Sequence, residues 1–321
     1  MISAAAGRRV VRGLALTVVA ALVVIAARRL SIARVLAELA VARPQWIVLA
    51  LLCYLAILPL WALQWRVLSP SSSRPNFAPM LGVIAMTSTV LNTTPLLVGE
   101  AAGVLFLVTE TGLTRAAALS VLAMDQLLVG LAKVVVLGTA AAVATLPAWM
   151  ERGALALLGG VAALCLGTLG VAWRSDHLAQ LTSRLLPARG VRVLLAVGEA
   201  LAPLRSPSRG GGALLLALAK KAVEAAAILC VARAFSVELS VGGAILVLAA
   251  LNLATLLPIV PGNVGVYEAA VVLAYSQLGV SAERALGIAI VQHACFFLAL
   301  ALPGYRWLAR AGVSRNSAAA A

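Results

Sequence analysis

The sequence predicts an all-α, polytopic membrane protein of about eight helices, built from two inverted repeats that each contain a broken or re-entrant helix pair. Three observations carry that expectation. Of the 321 residues, 63% are hydrophobic and 11% charged, with a mean hydropathy of +1.06; soluble domains sit near half apolar and a quarter charged. Several Leu/Ala/Val blocks reach about 20 residues, enough to cross a hydrocarbon core of roughly 30 Å, and they lack the short alternation of a membrane barrel. Finally, four apolar segments are too short to span comfortably, and they come as two pairs, each split by helix breakers.

The apolar segments lie at 10–27, 46–65, 80–95, 96–108, 117–143, 154–173, 212–232, 243–257, 266–278 and 285–305. The first follows a basic stretch, as a signal peptide would. No small-x-small cleavage site leads into a soluble domain, so it reads as a retained first span. The next stretch, "RRLSIARVLAELAVAR" at 28–43, reads as an amphipathic surface helix with Arg34 and Glu38 paired at i,i+4. Trp46, Trp61, Trp65, Trp149, Trp173, Tyr305 and Trp307 border the spans as an interfacial belt.

The short segments pair as 80–95 with 96–108, around "NTTP" (Asn92–Pro95), and 243–257 with 266–278, around "PIVPGNVG" (Pro258–Gly265). A helix of about 15 residues is only some 22 Å long, so each pair reads as a re-entrant hairpin or broken helix. The pairs also resemble each other. "LN" recurs at Leu91–Asn92 and Leu251–Asn252, and "EAA" at Glu100 and Glu268. "GLTRAAALSVLAMDQ" from Gly112 parallels "GVSAERALGIAIVQH" from Gly279. The shared order of motifs is that of an internal repeat.

Arginine placement sets the topology. With a cytoplasmic N-terminus, 15 arginines fall in inside loops and 7 outside, while all three lysines lie within spans. The first hairpin then enters from the cytoplasm and the second from the opposite face, which makes the repeats inverted. The domain organisation is a first membrane half (1–173), a basic cytoplasmic linker (174–211), a second membrane half (212–310) and a disordered tail (311–321).

Ionisable groups inside lipid are costly, by roughly 2.5–3.5 kcal/mol at a span centre on insertion scales, so they face the protein interior or a wet cavity. Here they are Glu100, Asp125, Lys133, Lys220, Lys221, Glu224, Glu268 and His293. Glu268 follows Pro261, Gly262, Asn263, Gly265 and Tyr267 and falls in the first two turns of a helix. There free N–H groups and the dipole favour negative charge, or an anion in its place. Glu100 stands likewise one turn after Pro95. Either the two acids cap and brace broken helices, or they line a polar cavity or carry protons. Asp125 and Lys133 share a helix face at a spacing of eight. Lys220 or Lys221 with Glu224 gives a local ion pair. Lys133 lacks a near partner and is a candidate cation for an anionic headgroup, and His293 reads first as an interhelical hydrogen bonder.

The four cysteines stand alone in separate apolar segments, with neither disulfide nor metal-ligand spacing. Basic residues sit in loops flanking spans, as lipid-headgroup contacts rather than a nucleic-acid footprint. No Walker, GxSxG or HExxH element is present, so no cofactor, metal or catalytic residue is expected, and no enzyme.

"LNTTPLLVGE" (91–100), "LPIVPGNVGVYEAA" (257–270) and "GVSAERALGIAIV" (279–291) resemble the lysylphosphatidylglycerol synthase/flippase transmembrane domain family. That family includes the flippase half of the multiple peptide resistance factor and hopanoid-associated membrane proteins. The likeness runs from about residue 10 to 310, and its most specific part is Pro261, Gly262, Gly265 and Glu268. It implies an inner-membrane domain of about eight helices that moves lipids, or lipid-linked headgroups, between leaflets. Some members carry a following aminoacyl-transferase domain; with the chain ending at Ala321, that synthase activity is not expected. The family usually has an arginine where Gly103 stands and another where His293 stands. If those arginines hold a phosphate, here the task falls to Lys133 or Lys220, or the headgroup differs.

The sequence therefore points to a bacterial cytoplasmic-membrane lipid transporter for an anionic phospholipid or polyprenyl-linked lipid. Its expected cavity set is Asn92, Pro95, Glu100, Asp125, Lys133, Lys220, Asn252, Pro261, Gly262, Asn263, Gly265, Tyr267, Glu268 and His293. The alternatives are a non-transporting membrane partner of a separate lipid synthase or glycosyltransferase and, further off, an intramembrane enzyme acting on lipid phosphates.

Overall fold

The computed structural model describes residues 31–94, 98–182, 206–256 and 260–310, with Val191, Leu195 and Leu201 between. The expected first span at 10–27, Pro95, Pro258, most of the linker and the tail at 311–321 lie outside the described residues. Among those described are ten α-helices and no strand: α1 (Ile32–Ala40), α2 (Pro44–Leu68), α3 (Phe77–Thr93), α4 (Val98–Thr111), α5 (Arg115–Val143), α6 (Ala148–Thr182), α7 (Pro207–Ala234), α8 (Val241–Ala254), α9 (Val266–Gln277) and α10 (Ala282–Ala301). Past a break at Leu302 the last helix resumes to Arg310. Four helical stretches are long and apolar enough to cross a bilayer: α2, α5, Ala148–Thr168 within α6, and Ala282–Arg310. The chain is a multi-pass helical membrane protein.

Helices α3, α4, α8 and α9 have 17, 14, 14 and 12 residues, or roughly 18–26 Å at 1.5 Å per residue. None spans alone; α3 packs on α4 and α8 on α9, so the expected pairs form hairpins. Their first arms are the most deeply placed: Val83 to Thr89 of α3 and Leu246 to Leu253 of α8 are buried. Within α3–α4 the chains come so close that a Cβ at Gly99 would strike Leu91.

The breaks are stabilised by their own side chains. At the end of α3, Asn92 Nδ2 donates to Ser88 O (2.8 Å), Thr93 Oγ1 to Thr89 O (2.7 Å) and Thr94 Oγ1 to Val90 O (2.6 Å). Thr255 Oγ1 donates likewise to Leu251 O (2.7 Å) at the end of α8. In lipid, where no water replaces a lost helix bond, such back-bonding satisfies polar groups that would otherwise be stranded.

Helices α2 and α7 form the central pair and run antiparallel. Near one end Arg209 Nη2 donates to Val67 O (2.7 Å) and Ser69 O (2.5 Å). At the other, Arg43 N–H donates to Ala234 O (2.9 Å), and the Arg233 guanidinium lies over the Trp46 ring at 5.1 Å. Around this pair the neighbour pattern repeats: α2, α3, α4 and α5 relate to one another as α7, α8, α9 and α10 do. Across the sets, α3 meets α10 as α8 meets α5, and α2 meets α10 as α7 meets α5. The connections before α5 and α10 match too. Gly112 and Gly279 are both left-handed (φ 71° and 78°), each two residues before the N-cap, Thr114 or Ser281.

Two details differ from expectation. Arg34 and Glu38 of α1 do not pair with each other: Arg34 meets Glu283 (3.9 Å) and Glu38 meets Arg284 (2.9 Å), because α1 packs on α10, whose first turn offers both signs of charge. Helix α6 runs on to Thr182, nine residues beyond the segment ending at 173. Polar residues end an apolar segment without ending a helix.

Candidate functional site

The second breaker is held by a small network. Gly262 and Asn263 adopt left-handed backbone (φ 63° and 56°) in a 3-10 turn over Pro261–Asn263, and Gly265 (φ 85°) opens α9. Three residues on, Glu268 Oε2 accepts the Gly265 N–H at 2.6 Å, the reciprocal half of a capping box. Its other oxygen, Oε1, lies 2.7 Å from His293 Nδ1, and His293 Nε2 lies 2.8 Å from Gly262 O. A carbonyl only accepts, so the Nε2 proton is donated to it, and the shared proton between Nδ1 and Oε1 completes the latch. The imidazole stacks on Tyr267 at 4.2 Å, and Tyr267 Oη accepts from Gln292 Nε2 at 2.9 Å.

The two breakers touch. A Cβ on Gly262 would lie 3.1 Å from Asn92 O, and the 3-10 turn packs on α3. Beside this meeting point is a cavity of about 120 Å³. Its polar lining is Lys133 of α5, Lys221 and Glu224 of α7, Asn252 of α8, Thr255 and Asn263 of the second break, and the phenols of Tyr54 and Tyr267. Ile228, Leu248, Leu251 and Phe296 supply the apolar walls. Lys221 Nζ donates to Glu224 Oε2 (2.7 Å) and Asn252 Oδ1 (3.0 Å).

A second polar cluster lies on the other face of α7. Lys220 Nζ is 3.8 Å from Asp125 Oδ1 and 5.2 Å from the Trp61 ring centroid, with both charged side chains almost wholly buried. Trp65, next along α2, stacks edge-on against Trp61. A Cβ on Gly103 would lie 3.2 Å from Trp65 and 3.0 Å from Thr87, so a side chain as large as arginine has no room there.

Of the residues expected to line one cavity, the structure brings together Lys133, Asn252, Asn263 and Tyr267. Pro261, Gly262, Gly265, Glu268 and His293 form the latch behind it. Asn92 closes α3, Glu100 sits in the first turn of α4, and Asp125 and Lys220 form the separate buried pair. Pro95 lies outside the described residues. Lys221 and Glu224, read from sequence only as an ion pair, prove to be cavity groups, as do Tyr54, Thr255 and Phe296. Spacing gave the Lys221–Glu224 signal; nothing in the sequence pointed to the other three.

Among family descriptions, that of the lysylphosphatidylglycerol synthase TM region matches residues 12–304. No curated protein and no solved structure gives a significant match.

Proposed function

We propose, for a chain that belongs to the lysylphosphatidylglycerol synthase TM-region family, that it moves a phospholipid or lipid-linked headgroup between the leaflets of the bacterial cytoplasmic membrane and does no chemistry on it. The observation that carries this reading is the meeting of two helix breaks, Asn92 O against Gly262, beside a cavity lined by Lys133, Lys221, Glu224 and Asn252. A headgroup crosses a bilayer only if polar groups replace water along its path, while its acyl chains remain in lipid. Broken helices in inverted repeats place such groups near the midplane. The antiparallel α2–α7 pair and the matching neighbour patterns of the two hairpin sets support that arrangement. On this reading the N-terminus is cytoplasmic, and the two hairpins rock against each other about the α2–α7 axis.

The test is leaflet-resolved labelling of headgroups in vesicles reconstituted with oriented protein. Movement faster than in protein-free vesicles is expected. Movement at the protein-free rate, together with co-purification of a lipid synthase or glycosyltransferase, would replace transport by the partner role.

A further inference from the structure

The acids of the membrane interior are held in place, with one exception. Glu268 uses both oxygens on the Gly265 N–H and His293, and Glu224 is bonded to Lys221 at 2.7 Å. Glu100 stands in the first turn of α4, where free N–H groups and the helix dipole favour a negative charge. Asp125 has no such support. It lies ten residues past Arg115, roughly 15 Å along α5, and is 1% exposed, so its short side chain meets protein and not headgroups. Its counter-ion, Lys220, approaches only to 3.8 Å, whereas the other pairs inside the membrane close to 2.7 Å. Oδ1 accepts no hydrogen bond among the described residues. Beside it the indole N–H groups of Trp61 and Trp65 are buried without an acceptor. Gln64, about one turn from Trp61 and wholly buried, is unbonded at both ends of its amide.

A carboxylate without donors is costly in such a place, and a proton removes the cost. Neutral Asp125 would strand Lys220 if it were the only support of that ammonium. It is not: Nζ also lies 5.2 Å from the Trp61 ring centroid, and a ring face holds a cation without accepting a proton. Asp125 therefore has two supported states, ionised opposite Lys220 and neutral beside a lysine held by Trp61. A metal cation finds no comparable support, because Lys220 and both indoles only donate. The other charges on the helices packed around α5 leave the pair to itself. On α7, Lys221 and Glu224 turn to the cavity and bond to each other. On α2, Arg66 donates to Pro75 O at 2.9 Å. Helix α4 carries Glu100 and Glu110 near its two ends, α6 carries Glu151 and Arg152 near its start, and α8 has no charged residue. On α5 itself Arg115 opens the helix and Lys133 lines the cavity.

We propose that movement is coupled to protons and that Asp125 carries the coupling proton, with Lys220 and Trp61 supporting the site in both of its charge states. The carboxylate takes up a proton as an O–H from one side of the membrane and releases the same proton to water on the other. No bond in the lipid is made or broken. The proposal rests on the transport reading above, but the proton site is tested with no lipid moving.

Infrared difference spectra of the full chain in vesicles, recorded as the pH is changed, test the site by itself. A carboxylic-acid carbonyl band that grows as pH falls and is missing in Asp125→Asn assigns the proton to Asp125; a band unchanged in that variant overturns the site. Gradient-driven movement tests the coupling. The probes are trace acyl-labelled phosphatidylglycerol and phosphatidylethanolamine in phosphatidylcholine vesicles with oriented protein, bleached from outside by dithionite, while potassium and valinomycin clamp the membrane potential. One proton per headgroup is expected to drive a leaflet asymmetry of up to roughly tenfold per unit of pH difference, and reversing the gradient should reverse it. Asp125→Glu is expected to keep the asymmetry and Asp125→Asn to lose it. Because Asp125→Asn leaves the Lys220 charge unpaired, thermal unfolding is followed alongside. Where that variant fails to fold, Asp125→Asn combined with Lys220→Met takes its place in both measurements. A pair that only ties α5 to α7 would change stability in these variants and leave the asymmetry intact, which overturns the proposal. Labelled lipid that moves but stays evenly divided at every gradient also overturns it, and transport then stands. No movement under any gradient removes transport and the coupling with it, and the infrared band alone then decides whether Asp125 binds a proton.

Discussion

Glu268 uses both carboxylate oxygens inside the protein, one on the Gly265 N–H and one on His293. It is a brace for the second break rather than a group facing the cavity. Glu268→Ala is expected to cost about 1–2 kcal/mol for the cap and about 1–3 kcal/mol more for the stranded histidine, measured by denaturant unfolding in micelles. Glu268→Gln should cost less, since glutamine at this position still accepts the capping N–H. Equal losses from the two variants would show that the cap contributes nothing. His293 ties the two ends of the break together: its imidazole reaches both Glu268 and the Gly262 carbonyl.

At the scale of elements, the hairpin tips carry the transport reading, and their contact can be weighed. Gly262→Ala forces a side chain into left-handed backbone, at about 1–2 kcal/mol, and pushes a Cβ to 3.1 Å from Asn92 O. Gly279→Ala meets the same backbone demand at φ 78° but has nothing within 4 Å. The first variant should therefore be the less stable, and the difference between their unfolding free energies measures the contact between the breaks; identical values would mean that the tips do not bear on each other. The hairpins were legible because prolines, glycines and threonines punctuate an otherwise apolar chain, and α3 ends at Thr93 and α8 at Ala254, close to the marked breakers. Which lysine faces the cavity was not legible. Lys220 and Lys221 are neighbours and so point about 100° apart on a helix, and between Arg209 and Arg233 at its ends α7 is apolar or glycine but for Lys220, Lys221 and Glu224, so no amphipathic stripe orients it. Only packing of α7 between α2, α5 and α8 sends one to Asp125 and the other to Asn252.

For the whole molecule, the decisive feature is that α2 and α7 run in opposite directions. The start of α7 is tied to the end of α2 through Arg209, and the start of α2 to the end of α7 through Arg43. If α2 and α7 both cross the bilayer, the exposed loop residue Ser72, which follows α2, and Glu238, which follows α7, lie on opposite faces. On the proposed orientation, with the arginine-rich loops inside, Ser72 is cytoplasmic. In a background with Cys53, Cys165, Cys230 and Cys295 replaced, Ser72→Cys and Glu238→Cys can each be probed with a membrane-impermeant maleimide. Intact cells should label position 238 and leave 72 unreacted until the membrane is opened; inverted vesicles should reverse the result. Labelling of both from one side would mean that the two halves enter the membrane in the same sense. The hairpins would then approach from a single face, and a headgroup entering between them would have no route to the other leaflet.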